Sequence, residues 1–174
     1  MEVISSFISM VLDISSSKMQ GSKPDMPINK EHAVFLDLHN KTRDIYNLGP
    51  LEEDRGCLLV AQSHATWMAR SSTLGHLGFS FFGPPQRLAV IGKEPSRIGE
   101  CISFSRSTSS SEVMKQWFNS NTHKSIILGN YSKFGVGTDT CDQGYVYWCA
   151  IYTDDTITDS SPILQLSDGL IEPK

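Results

Sequence analysis

The stretch KFGVGTDTCDQGYVYWCAIYT, residues 133–153, decides the fold class. Lys133–Thr138 and Tyr145–Tyr152 carry Val, Tyr, Trp and Ile, residue types that suit a pleated, half-buried surface. Asp142-Gln143-Gly144 lies between them and supplies a turn, so the two runs read as a terminal hairpin. Upstream the period changes. A helix is expected from about Asn29 to Leu48, capped by Asn29, with Glu31 in its first turn and Gly49-Pro50 as its stop. Phe35, His39 and Arg43 then share one face. A second helix is expected from about Asp54 to Ser72, with Leu58, Ala61, Ala65 and Met68 as its core stripe and His64 as a surface residue. Residues 77–99, rich in Gly and Pro, read mostly as loop. Ser109-x-x-Glu112 has the form of a capping box, opening a short helix with Val113 and Trp117. Helices followed by a hairpin make an α+β chain, expected as a three-layer α-β-α sandwich with extensions at both ends.

A chain of 174 residues can bury a real core in one domain. Hydrophobic residues make up 39% and charged residues 20%, which excludes a disordered, charge-dominated chain. With 15 Lys+Arg against 19 Asp+Glu the net charge is −4, and this argues against a nucleic-acid partner. No apolar run is long enough to span a bilayer. Cys57, Cys101, Cys141 and Cys149 lack the CxxC spacing of a zinc knuckle or redox loop. Buried thiols are the plain reading, with a Cys57–Cys101 bridge left open.

The domain is expected over residues 29–153, between an N-terminal segment and linker (1–28) and a C-terminal tail (154–174). In the N-terminal segment, Val3, Ile4, Phe7, Ile8, Val11 and Leu12 recur at helical spacing, and residues 1–17 contain no Lys or Arg. The pattern reads as an amphipathic docking element rather than an export signal, which needs a basic start. Residues 1–14 are accordingly expected to join the domain to an assembly: a homo-oligomer, a virus particle or a phage tail. An atypical, cleaved export signal is the competing reading.

The order of residues resembles the CAP superfamily, also called the SCP domain, which includes cysteine-rich secretory, antigen 5 and pathogenesis-related 1 proteins. The resemblance is carried by Leu38-His39-Asn40-x-x-Arg43, Pro50-Leu51, Ala61-Gln62-x-x-Ala65, His76, Gly99-Glu100, Val113-x-x-x-Trp117-x-x-Ser120-x-x-His123, Phe134-Gly135-Val136-Gly137 and Tyr147-Trp148. Each motif alone is weak, and their order and spacing carry the match. The short Trp117-to-His123 gap, with Arg87 and Gly92 ahead of Gly99-Glu100, is similar to the compact bacterial branch. Cys101 stands where the family has Asn, and Lys124 where it has Arg.

The resemblance implies a cleft in which two His and two Glu can hold Zn²⁺ or another divalent cation. Residue by residue, His76 and His123 are the implied metal ligands and Glu100 the implied catalytic carboxylate. Ser120 occupies the place of the second glutamate. Glu100 and Ser120 are expected to line the cleft, Trp148 reads as core that could also border it, and His39, Asn40 and Arg43 are expected to hold structure. Two functions follow. One is a binding module for a cell-envelope, glycan, lipid or protein ligand, in an extracellular or envelope setting. The other is a metal-dependent hydrolase acting on a peptide, ester or cell-wall substrate, with Glu100 as base on a bound water. A Ser or Cys nucleophile is disfavoured. Ser120 has no strand-turn-helix elbow around it, and the carboxylate beside Cys101 opposes a thiolate.

Overall fold

The computed structural model describes residues 30–154. The N-terminal segment and all but the first residue of the C-terminal tail lie outside the described residues. Helix α1 runs Lys30–Ile45, strand β1 Glu52–Glu53, helix α2 Arg55–Ser71 and helix α3 Pro84–Val90. Strand β2 (Ile98–Ser105), helices α4 (Ser110–Phe118) and α5 (Asn121–Ile127), and strands β3 (Lys133–Thr140) and β4 (Val146–Thr153) complete the domain. The sheet order is β1-β3-β4-β2, so the expected hairpin is central. Both of its pairings through β4 are antiparallel, and β1 pairs with β3 in parallel. No helix of the described residues is long and apolar enough to cross a membrane.

Alternation along the strands divides the core into two. Trp148, Ala150, Tyr152, Phe134 and Val136 pack with Phe35, Val113 and Trp117 under α1 and α4. Tyr147, Cys149, Ile151 and Ile102 pack with Val60, Ala61, Ala65 and Leu88 under α2 and α3. This is the α-β-α sandwich that the sequence predicts. Helix α2 lies directly on β3. A Cβ at Gly135 would lie 2.1 Å from the Leu58 nitrogen, and one at Gly137 would lie 2.3 Å from Gln62 Cα, so only glycine admits the helix this closely.

Arg43 fastens the other layer. Its guanidinium is buried and donates to the carbonyls of Gly49, Ile127, Gly129 and Tyr131. Asn40 exchanges two hydrogen bonds with the Leu51 backbone. Both therefore have the structural role read from the sequence, because buried polar groups must find partners.

Residues 77–99 lie mostly outside α-helix and strand, as expected, apart from α3, which starts at Pro84, a residue suited to a first helical turn, and the start of β2 at Ile98. Three expectations are corrected. The expected capping box does not form: Ser109 caps α4 without a side-chain bond and Glu112 is exposed. Glu31, reaching across from α1, accepts from the Ser110 backbone and hydroxyl instead. His64 is not a surface residue but 1% exposed, because it follows Val60 by one helical turn and shares its buried face. The first helix ends at Ile45, with Asn47 in the left-handed region closing the turn before Gly49.

Candidate functional site

Glu100 lies on β2, a strand at the edge of the sheet, on the face that meets α2 and α3. Its carboxylate is 2% exposed, and both oxygens are engaged. Arg87 of α3 donates from Nη2 to Oε2 at 2.6 Å. His76, in the connection between α2 and α3, holds Oε1 through Nδ1 at 2.7 Å. Cys149, opposite Ile102 on β4, directs its thiol to Oε2 at 3.4 Å. Arg87 also donates to the His76 carbonyl, so one guanidinium ties together the two residues it orients.

The electrostatics follow from this arrangement. Burial, the strongest influence, pushes the Glu100 carboxyl up. The hydrogen bond with His76 and the charges of Arg87 and His64 oppose it, and the group sits below its ordinary value. The bond to Glu100 raises His76 against the effect of burial. Burial raises Cys149 well above an ordinary thiol, helped by the Glu100 charge, and pushes Cys57 and Cys101 up to about 12. All four cysteines are free and buried, and no Cys57–Cys101 bridge forms. Thiols of this kind are not activated nucleophiles.

His123, on α5, stacks on Trp117 with ring centroids 5.9 Å apart, and its buried Nδ1 has no hydrogen-bond partner. Burial lowers its pKa, the Ile102 backbone opposes this, and the His76 charge adds to the lowering. Ser120 is the N-cap of α5 and makes no side-chain capping bond. Trp148 is 1% exposed and packs against Phe35 on the opposite face of the sheet from Glu100. The structure thus brings His76 and Glu100 into contact, stacks His123 on Trp117 and places Trp148 in the core. A polar depression of about 360 Å³ lined by Ser96, Arg97, Asn130, Tyr131, Ser132 and Asp154 contains none of these residues.

Sequence reasoning missed Arg87, His64 and Cys149 as members of this cluster. Arg87 had a legible signal, because a lone cation beside Leu88, Val90 and Ile91 needs a buried partner. The sequence model of the cysteine-rich secretory protein family matches residues 36–152. The chain belongs to the CAP family.

Solved structures share the CAP fold at low identity. An outer surface protein of Borrelia burgdorferi is similar at 19% identity and a TM-score of 0.67, covering 78% of this chain and 98% of its own. An extracellular protein of Bacillus anthracis with an SCP domain is 21% identical with a TM-score of 0.63, and the match spans 78% of this chain and 45% of that one. NaASP2, solved with Zn²⁺, is 14% identical with a TM-score of 0.54 over 83% of this chain and 94% of its own. No curated protein sequence matches the chain.

The residues of this CAP domain do not furnish a catalytic zinc centre, which takes three protein ligands. Both Glu100 oxygens are occupied, Ser120 replaces a carboxylate, and His76 and His123 remain as a pair of imidazoles. Among the described residues no group of three or more His, Cys, Asp or Glu is arranged to hold a metal ion.

Proposed function

We propose that this CAP domain is a binding module whose ligand seats against His76 and His123, with Glu100 as a positioning residue rather than a base. One observation carries the reading: the Glu100 carboxylate is 2% exposed and shared between Arg87 and His76, so it is held as a structural ion-pair partner rather than presented to a reacting water. A carboxylate held this way fixes the imidazole it touches, and the His76 side chain remains 57% exposed with Nε2 available to a ligand. The ligand class is a glycan, lipid or protein of a cell envelope. The names of the Borrelia burgdorferi outer surface protein and the Bacillus anthracis extracellular protein support that setting. Residues 1–14, outside the described residues, would dock the domain to its assembly.

The hydrolase reading has one observation in its favour, the carboxylate–imidazole pair of Glu100 and His76, which resembles the pairing that orients metal-bound histidines. No step is assigned to it, because the ligand set falls short. Pelleting the full chain with purified peptidoglycan, with and without added Zn²⁺, tests both readings. Retention without release of soluble fragments, weakened by His76→Ala, supports the module. Release that requires Zn²⁺ and is lost in His76→Ala would establish the hydrolase instead.

A further inference from the structure

The connection between α2 and α3, residues 72–83, is fastened on its inner side. Thr73 donates its N–H to the Met68 carbonyl, the buried His64 donates from Nε2 to the Gly75 carbonyl at 2.8 Å, and Arg87 donates to the His76 carbonyl. Gly78 fits against the His64 ring, where a Cβ would lie 2.9 Å from Nδ1, and its N–H reaches the Phe82 carbonyl. The outer side of the same segment is apolar. Leu74 is 43% exposed, Leu77 56% and Phe81 85%.

Phe81 is also strained. Ser80 and Phe81 are consecutive non-glycine residues at φ 55° and 61°, inside a turn that buries no side chain. A bulky residue in the left-handed region is an outlier, and such strain persists where the structure over-determines it, commonly at ligand-contacting segments. The core gains nothing from Phe81, so folding does not account for its position.

Charge identifies the partner. From Arg55 to Lys93 the sequence contains no Asp or Glu, although the whole chain carries −4. Lys93 pairs with Asp54, and Arg87 and His76 with Glu100, which leaves Arg55 at the start of α2 and Arg70, exposed in its last turn, four residues before Leu74. The tip of Leu and Phe follows Arg70 and has no acid in its own segment, the nearby Glu100 being buried and held by Arg87 and His76. Such a tip suits the interface of an anionic bilayer, where apolar side chains enter the acyl boundary and a cation meets headgroups. A single side chain that is almost fully exposed on a turn offers no groove for a peptide or a sugar.

We propose that the α2–α3 connection is a membrane-docking tip, inserting Phe81 and Leu77 into an anionic lipid surface with Arg70 at the headgroups. The tip does not depend on what the cleft binds. Full-length protein is sedimented with vesicles of phosphatidylglycerol and phosphatidylcholine in equal parts, and with phosphatidylcholine alone. The anionic vesicles should retain it, less so as salt rises. Leu77→Ser combined with Phe81→Ser should lower partitioning by about tenfold or more at an unchanged thermal midpoint, and Phe81→Trp should preserve it. Failure to bind anionic vesicles overturns the proposal, as does binding that survives the double serine variant or is abolished by Phe7→Asp alone. A wild-type dimer in solution that the double serine variant dissolves would overturn it in favour of a protein interface.

Discussion

The Tyr152 hydroxyl donates to His39 Nε2 at 2.7 Å, and both side chains are 0% exposed although 113 residues separate them. His39 Nδ1 donates to the Phe35 carbonyl one helical turn away, so Nε2 is left as the acceptor. Through this contact α1, at the start of the domain, is joined to the last strand. Tyr152→Phe removes the donor and strands a buried acceptor, at a cost of about 1–3 kcal/mol. Urea denaturation should report that loss with an unchanged slope. A variant as stable as the parent would show that the bond contributes nothing.

Acid should weaken the domain before its carboxylates titrate. Burial lowers His39 to about 4, with the Arg43 charge adding to it, and burial followed by the Arg87 charge lowers His64 to about 4. An unfolded histidine takes its proton near 6.5, so as pH falls from there toward 4 the unfolded chain binds protons that the folded chain refuses. Stability then drops by about 1.4 kcal/mol per pH unit for each of the two rings. His76, raised by Glu100, has the opposite sign: its contribution is present below pH 6.5 and is lost as pH rises through its folded value. Denaturation series at pH 7, 6 and 5 on the order of this slope check the balance, and a flat profile contradicts it.

Arg87 and Glu100 should prove mutually dependent. Removing either leaves the other as an unpaired buried charge, so Arg87→Met and Glu100→Gln should each cost about 3–5 kcal/mol. The double variant should cost less than the two together. Strict additivity would mean that the pair is not coupled. Nitrogen chemical shifts of the His76 ring give a second readout, because loss of Glu100 should free its tautomer.

The approach of α2 to the sheet can be probed without touching the site. In Gly137→Ala the new methyl meets the Gln62 backbone rather than a flexible side chain, so the helix must shift. The expected cost is about 1–3 kcal/mol, read as a lower thermal midpoint. Gly144→Ala, at the hairpin turn, meets no neighbouring atom but sits at a φ of 77°, so its smaller penalty comes from backbone strain alone.

Trp148 separates core from cleft. Buried against Phe35 on the α1 face, it should cost about 3–5 kcal/mol when replaced by Ala. Trp148→Phe, which keeps most of the packing, should leave peptidoglycan retention unchanged. A selective loss of retention at normal stability would return Trp148 to the ligand surface.

Periodicity and punctuation, both local properties, made much of this protein legible in its sequence. The 133–153 hairpin turns at a glycine in the left-handed region, and α2 buries Leu58, Ala61, Ala65 and Met68 as its spacing requires. Order and spacing of motifs were enough to place the chain in its family. Tertiary structure alone decided where charge goes. Strand β2 was not anticipated, because Glu100 sits at a position that alternation assigns to the core, and its burial depends on Arg87, which comes from a different helix. His64 was misplaced because the sequence shows the period of an element but not which layer each of its faces meets. Glu31 replaced Glu112 as the cap of α4 because the packing of α1 brought a carboxylate there from elsewhere in the chain. Elements form from neighbours within a few residues, whereas a site forms from side chains whose desolvation is offset by partners that only the folded chain brings together.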